Sequence, residues 1–317
     1  MSTSTSSDKL AFVFPGQGSQ SVGMLADLAA QHADVEKTFA EASDGAGVDL
    51  WNITGNGPAD LLNSTENTQP ALLAASVAVW RVWQSRGGAM PSMLAGHSLG
   101  EYSALVCAGA LSLHDGAALV AERGRLMQVA VPAGTGAMAA VLGGDDAVIA
   151  EVCSEVAGDE VVAPANYNSP GQVVIAGNTA AVDRALQKLT DLGVRKTVKL
   201  AVSVPSHTAL MREAADKLTE RMQGIDWQLP TLPVVQNVDG QAHDKLDDIR
   251  AALKQQLFMP VRWTDCFQSL AASGVTRFAE CGPGKVLTGL GKRIDRSLEG
   301  RAIGTPEGLA GALEAWS

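Results

Sequence analysis

The segment Gly96-His97-Ser98-Leu99-Gly100 constrains the fold of this chain more than any other. The apolar run Met93-Leu94-Ala95 precedes it and the helix-forming Glu101-Tyr102-Ser103-Ala104-Leu105-Val106 follows, so the spacing predicts a strand, a sharp turn and a helix. A G-x-S-x-G turn of this kind is a nucleophile elbow. It forces the serine into a strained backbone conformation, while the glycines two residues away on either side permit close backbone packing. The Ser98 hydroxyl then points into a cleft, and the Leu99 N–H sits at a helix N-terminus, where it can bind a developing oxyanion. An ordinary tight turn is the alternative; the flanking strand and helix favour the elbow.

At 317 residues the chain can hold one large α/β domain with a smaller inserted unit. Aromatic residues are only 4% against 46% hydrophobic, so the core is expected to be built from Ala, Val and Leu, as in helix-covered parallel strands. Residues 1–8 read as a short disordered tail with neither the basic nor the apolar region of a signal peptide, and no run approaches a membrane span. Cys107, Cys153, Cys266 and Cys281 form no C-x-x-C pair and read as free thiols in a reducing cytoplasm. A net charge of -10 without any basic, aromatic-interleaved stripe disfavours nucleic acid as a partner. Lys285, Lys292, Arg293 and Arg296 cluster near the C-terminus, as a solvated helix face or a docking patch.

A first strand, Lys9-Leu10-Ala11-Phe12-Val13-Phe14, stops at Pro15-Gly16-Gln17-Gly18. Helical periodicity covers 22–42 and then runs on from Pro70, a favourable first-turn residue. Ser112 and Asp115 open a further helix that ends before Pro132. Between 134 and 203 the order becomes βαββαβ, the pattern of a ferredoxin-like unit. The fold expected is therefore a large α/β-hydrolase-like domain, residues 9–133 and 204–317, with a central mostly parallel sheet and a ferredoxin-like subdomain at 134–203.

A serine hydroxyl needs a base. Of the five histidines, His32 and His114 lie on polar helical faces, His243 lies in a turn, and His97 is expected to project away from its neighbour Ser98. His207 follows Val204-Pro205-Ser206 and opens a helix read at 206–222, whose N-terminal dipole would favour the neutral imidazole that a base requires. A helix-capping role is its alternative. No acidic third member stands at the expected place, since Glu213 and Asp216 fall beyond the first turn, so a Ser-His dyad oriented by a carbonyl or an amide is expected. Arg123 lies on the apolar face made by Leu119, Val120 and Met127, and a buried guanidinium requires an anion, either an internal carboxylate or a carboxylated acyl substrate. A dinucleotide loop at Gly16-Gln17-Gly18 is weak because Ser21 replaces the third glycine, and Gly282-Pro283-Gly284-Lys285 lacks P-loop spacing.

Taken together, Pro15-Gly16-Gln17-Gly18-Ser19-Gln20, Thr68-Gln69-Pro70-Ala71, Gly96-His97-Ser98-Leu99-Gly100-Glu101, Arg123-Gly124, Asn168-Ser169-Pro170-Gly171-Gln172, Pro205-Ser206-His207, Asn237-Val238-Asp239 and Gly282-Pro283-Gly284 make the chain resemble the malonyl-CoA:acyl carrier protein transacylases and the acyltransferase domains of polyketide synthases. The likeness spans nearly the whole chain. It implies that Ser98 is the acylated nucleophile and His207 its base, that Gln17 and the Leu99 N–H hold the oxyanion, and that Arg123 grips the malonyl carboxylate. It also implies that main-chain carbonyls near Gln256 orient the histidine. Malonyl-CoA and acyl carrier protein are then the partners, with no nucleic acid or membrane. No cofactor is implied, because coenzyme A enters as part of the substrate. The setting is cytoplasmic fatty acid biosynthesis, and nothing demands more than a monomer. A serine thioesterase or hydrolase, or a polyketide synthase acyltransferase component, is the alternative reading.

Overall fold

The computed structural model describes residues 9–132, 134–202 and 204–316. The expected tail at 1–8 and the domain-boundary positions 133 and 203 lie outside the described residues. The chain runs through β1 (Lys9–Phe14), α1 (Ala26–Ala29), α2 (Asp34–Ala46), α3 (Leu50–Asn56), α4 (Ala59–Asn63), α5 (Thr65–Ser85), β2 (Met93–Gly96), α6 (Leu99–Cys107) and α7 (Leu113–Val129). Next come β3 (Gly136–Leu142), α8 (Asp146–Ala157), β4 (Val162–Ser169), β5 (Gln172–Asn178), α9 (Thr179–Asp191) and β6 (Lys196–Lys199). A 3-10 turn at Ala209–Met211 leads into α10 (Arg212–Met222), β7 (Val234–Val235), α11 (Leu246–Gln256), α12 (Trp263–Ala272), β8 (Val275–Glu280), α13 (Val286–Ile294), β9 (Glu299–Ala302) and α14 (Pro306–Trp316).

Two sheets organise these elements. The first has the order β7-β2-β1-β8-β9, with every pairing parallel. Its central strand β1 is buried from Leu10 to Phe14, the run of apolar residues that helices on both faces demand. Phe12 and Phe14 pack into one core with α2, α5 and α7, while Ala11 and Val13 face a second core with α12 and α13. The second sheet is antiparallel, with the order β4-β5-β3-β6. Helices α8 and α9 cover one face of it, against Ala139, Val141, Val173 and Ile175. The opposite face, with Met138, Ala165, Val174 and Ala176, turns toward the ends of the parallel strands. A main-chain bond from Tyr167 N–H to the Val261 carbonyl, 2.9 Å long, ties β4 of the antiparallel sheet to the segment between α11 and α12.

Several element boundaries depart from the sequence-based expectations. The stretch 22–42 breaks into α1 and α2 rather than forming one helix. α5 begins at Thr65 and carries Pro70 inside it, not in its first turn. Pro70 has no N–H to give the Glu66 carbonyl, so α5 lacks one hydrogen bond of its ladder there. The helix read at 206–222 is shorter, because 206–208 form a turn ahead of the 3-10 segment.

Candidate active site

In the parallel sheet Phe14 lies beside Gly96, so the loops that leave β1 and β2 meet at one end. Ser98 stands there, between β2 and α6, with φ 52° and ψ -105°. A non-glycine residue in that region costs about 1–3 kcal/mol and persists only where its surroundings enforce it. Here they do. The Ser98 N–H donates to Asn237 Oδ1 at 2.7 Å, and the Ser98 carbonyl accepts from Gln256 Nε2 at 2.9 Å. The flanking glycines are needed for contact as well as for conformation. A Cβ on Gly96 would come within 1.8 Å of the Gly100 carbonyl carbon, and one on Gly100 within 2.0 Å of the Phe14 oxygen.

Ser98 Oγ lies 2.8 Å from His207 Nε2, and His207 Nδ1 lies 2.6 Å from the Gln256 carbonyl oxygen. A carbonyl only accepts, so Nδ1 carries the proton and Nε2 offers its lone pair to the serine. His207 is 4% exposed and has φ 63°, with its main-chain N–H donating to the Leu257 carbonyl at 2.9 Å. It stands in the turn ahead of α10 and does not open that helix, which corrects the dipole argument for its neutrality. Burial is the main cause that holds the ring neutral, with the Arg123 charge second, and together they bring its pKa down to about 3.

Arg123, on α7, is 1% exposed. Its Nη1 donates to Gln69 Oε1 at 2.7 Å, and its Nη2 donates to Gln256 Oε1 at 3.0 Å and to Ser98 Oγ at 3.1 Å. All of these acceptors are neutral, and its Nε has no protein partner. The internal carboxylate weighed for it is therefore absent from its hydrogen bonds. The Tyr102 ring also stands beside the guanidinium, 5.3 Å from Cζ to its centroid, and a buried cation with no carboxylate among its hydrogen bonds keeps its affinity for an anion beside the serine.

These groups line a cavity of about 250 Å³ between the ends of the parallel strands and the open face of the antiparallel sheet. Gln17, exposed in the loop after β1, reaches this cavity, as does Leu99 at the first position of α6, where an N–H has no intrahelical acceptor. His97 also lines it, but its ring is engaged away from Ser98, as expected, with its Nε2 2.8 Å from Asn168 Oδ1 at the end of β4. The structure thus brings together Ser98, His207, Arg123, Gln17, Leu99 and Gln256. Lys285, Lys292, Arg293 and Arg296 are exposed on and around α13, whose Val286, Leu287 and Leu290 form part of the cavity wall. Gln69, Asn237 and Glu101 were not singled out for a role by sequence reasoning, although each falls within a quoted motif. Their signal was a polar residue inside an otherwise apolar segment, which says that a partner exists without naming it. Among the described residues no group of three or more His, Cys, Asp or Glu is placed to hold a metal ion.

Residues 11–311 match the family described as acyl transferase domain. The chain belongs to this family. Within it, the chain is 57% identical over 306 residues to the malonyl CoA-acyl carrier protein transacylase of Escherichia coli (strain K12), covering 96% of this chain and 99% of that one. The solved malonyl-CoA:acyl carrier protein transacylase of Xanthomonas oryzae pv. oryzae superposes with a TM-score of 0.97 at 64% identity, over 98% of this chain and 99% of that chain. A malonyl-transacylase solved in complex with a holo type II PKS acyl-carrier protein superposes with a TM-score of 0.96 at 54% identity, over 97% and 100% of the two chains.

Proposed function

We propose that this acyl transferase moves the malonyl group from malonyl-CoA to the phosphopantetheine thiol of acyl carrier protein through a malonyl ester on Ser98, supplying fatty acid biosynthesis. The observation that carries this reading is Ser98 Oγ held between a neutral His207 Nε2 at 2.8 Å and the Arg123 guanidinium at 3.1 Å. A base on one side serves acyl transfer, and a cation on the other selects an acyl group that bears its own carboxylate. The high identity to malonyl transacylases along the whole chain supports the same substrates.

The first step forms a bond between Ser98 Oγ and the thioester carbon while the hydroxyl proton passes to His207 Nε2. The Leu99 N–H and Gln17 stabilise the oxyanion of the tetrahedral intermediate. Its collapse breaks the carbon–sulfur bond, and the imidazolium returns the proton to the departing coenzyme A thiolate. In the second step the carrier thiol gives its proton to His207 and attacks the ester, and Ser98 leaves with that proton. The Gln256 carbonyl accepts from Nδ1 throughout and fixes the tautomer without a carboxylate. No cofactor takes part, since coenzyme A is a leaving group.

The chain order and the antiparallel strand order β4-β5-β3-β6 support reading 134–203 as a ferredoxin-like subdomain, inserted into an α/β-hydrolase-like domain of 9–133 and 204–317. No helix among the described residues is long and apolar enough to cross a membrane, and we place the reaction in the cytoplasm, with the chain acting as a monomer. Light scattering at working concentration tests the last point. The cationic cluster near α13 is proposed as the docking face for the carrier, and charge reversal there that leaves carrier affinity unchanged removes it. A polyketide carrier is the second reading of the acceptor, favoured by the likeness to the transacylase solved with one. Intact-protein mass spectrometry after mixing with malonyl-CoA tests the central claim. The expected result is one malonyl adduct on Ser98 that each carrier, added separately, discharges; release of free malonate in place of transfer would make the chain a hydrolase.

A further inference from the structure

Glu101 takes no part in the steps above, yet its carboxyl lies wholly out of solvent in the first turn of α6. Burying a carboxyl is costly unless its oxygens are used. Its Oε2 accepts two hydrogen bonds, from the main-chain N–H of Asn237 at 2.8 Å and from Gln256 Nε2 at 3.0 Å. One donor follows β7, and the other ends α11. Both residues also hold Ser98, Asn237 through the serine N–H and Gln256 through the serine carbonyl. Gln256 in addition receives His207 Nδ1 on its main-chain oxygen and Arg123 on its side-chain oxygen.

We infer that Glu101 is a positioning residue for acyl transfer, acting through Asn237 and Gln256 to hold the Ser98 backbone and the Arg123 fork in one arrangement. The inference rests on the reading of Ser98 as the acyl-bearing nucleophile. With Oε2 as acceptor, the Gln256 carboxamide has its nitrogen between two acceptors and its oxygen on Arg123, so one orientation satisfies all three contacts. Removing Oε2 leaves a buried N–H on Asn237 without a partner and frees that carboxamide to turn. The strained Ser98 backbone is then held less firmly on both sides. The acceptor oxygen matters here rather than a negative charge. Burial raises the Glu101 carboxyl to about 8, so at neutral pH it is mostly protonated while Oε2 still accepts. A carboxamide presents an equivalent oxygen.

The test is a time course of Ser98 acylation by malonyl-CoA, read by intact mass, which separates the rate constant from the final fraction acylated. Absence of a Ser98 adduct in the wild type would overturn the functional reading and this inference with it. With wild-type acylation established, Glu101→Ala is expected to slow the rate constant by about 10²-fold, the scale of a small misplacement of reacting groups. Glu101→Asp, which withdraws the acid by one methylene, slows it in the same direction, and Glu101→Gln recovers most of the rate. A residue needed only for folding would lower the final fraction and the Tm but leave the rate constant of the folded fraction unchanged. That outcome overturns the inference, as does a Glu101→Gln variant as slow as Glu101→Asp. Should Glu101→Ala fail to fold, the Asp and Gln variants decide by the same criteria.

Discussion

The two sheets meet at the cavity in different ways. The parallel sheet is sandwiched between helices, so its strands have no free face and can reach substrate only where they end. Ser98, Gln17 and Asn237 all follow such ends. In the antiparallel sheet α8 and α9 cover one face, and the other offers the cavity a strand surface with Met138 and Val174 upon it. Strand ends supply exposed main-chain groups and sharp turns, which suit chemistry; a strand face supplies an ordered array of side chains, which suits containment. The cavity uses one sheet for each task.

Substitutions on the two sides should therefore differ in kind as well as size. The largest effect is expected at the strand end: Ser98→Ala should abolish the adduct and lower transfer by about 10⁶-fold, as removing an activated nucleophile does. A Ser98→Ala variant that still accumulates an acyl adduct would move the chemistry elsewhere. Next comes pH, because Glu101 and His207 are buried at this same end. Between pH 4.5 and about 8 the unfolded chain has released the Glu101 proton that the folded chain keeps, so stability falls as pH rises through that window. For His207 the sign reverses: between its ordinary 6.5 and about 3 the unfolded chain takes up a proton that the folded one refuses, so stability falls as pH drops. Urea unfolding over this range should show the stability of Glu101→Gln minus that of wild type growing with pH up to about 8, with a slope approaching about 1.4 kcal/mol per pH. A pH-independent difference between the two proteins would refute the burial argument.

Arg123→Ala is expected to lower malonyl transfer by roughly 10- to 100-fold, the range of a lost charge-assisted hydrogen bond, and to lower acetyl transfer much less. Equal losses with both thioesters would return Arg123 to a purely structural role. The smallest effect belongs to the strand face. Met138→Ala should raise KM a few-fold and leave the acylation rate constant at saturation unchanged, in steady-state and single-turnover measurements. A slower acylation step in that variant would erase the division of labour between the sheets.

What could be read from the sequence was local. The elbow was legible because its glycines and its strand-helix flanks lie within a few residues of Ser98, and Arg123 was legible as buried because its neighbours repeat with helical spacing. Its partners were not, since Gln69 and Gln256 stand 54 and 133 residues away and periodicity carries no information about which faces meet. The Glu101 contacts span 136 and 155 residues and were hidden for the same reason. His207 was found from its place after a strand, but the reason for its neutrality was misassigned. The turn that places it has a left-handed residue at His207 itself, where propensity would have put glycine.

The bond from His207 to the Gln256 main-chain oxygen has a consequence for how this site tolerates change. A base oriented by an aspartate is lost when one codon mutates, whereas every amino acid carries a carbonyl. Position 256 thus has two parts with different exposure to mutation. The carboxamide that serves Ser98, Arg123 and Glu101 disappears with most replacements, while the group that fixes the imidazole tautomer survives any that preserve the end of α11. Replacing Gln256 is therefore expected to loosen the nucleophile and the Arg123 cation while the imidazole keeps its tautomer, so one residue separates the anchoring of Ser98 from the orientation of its base.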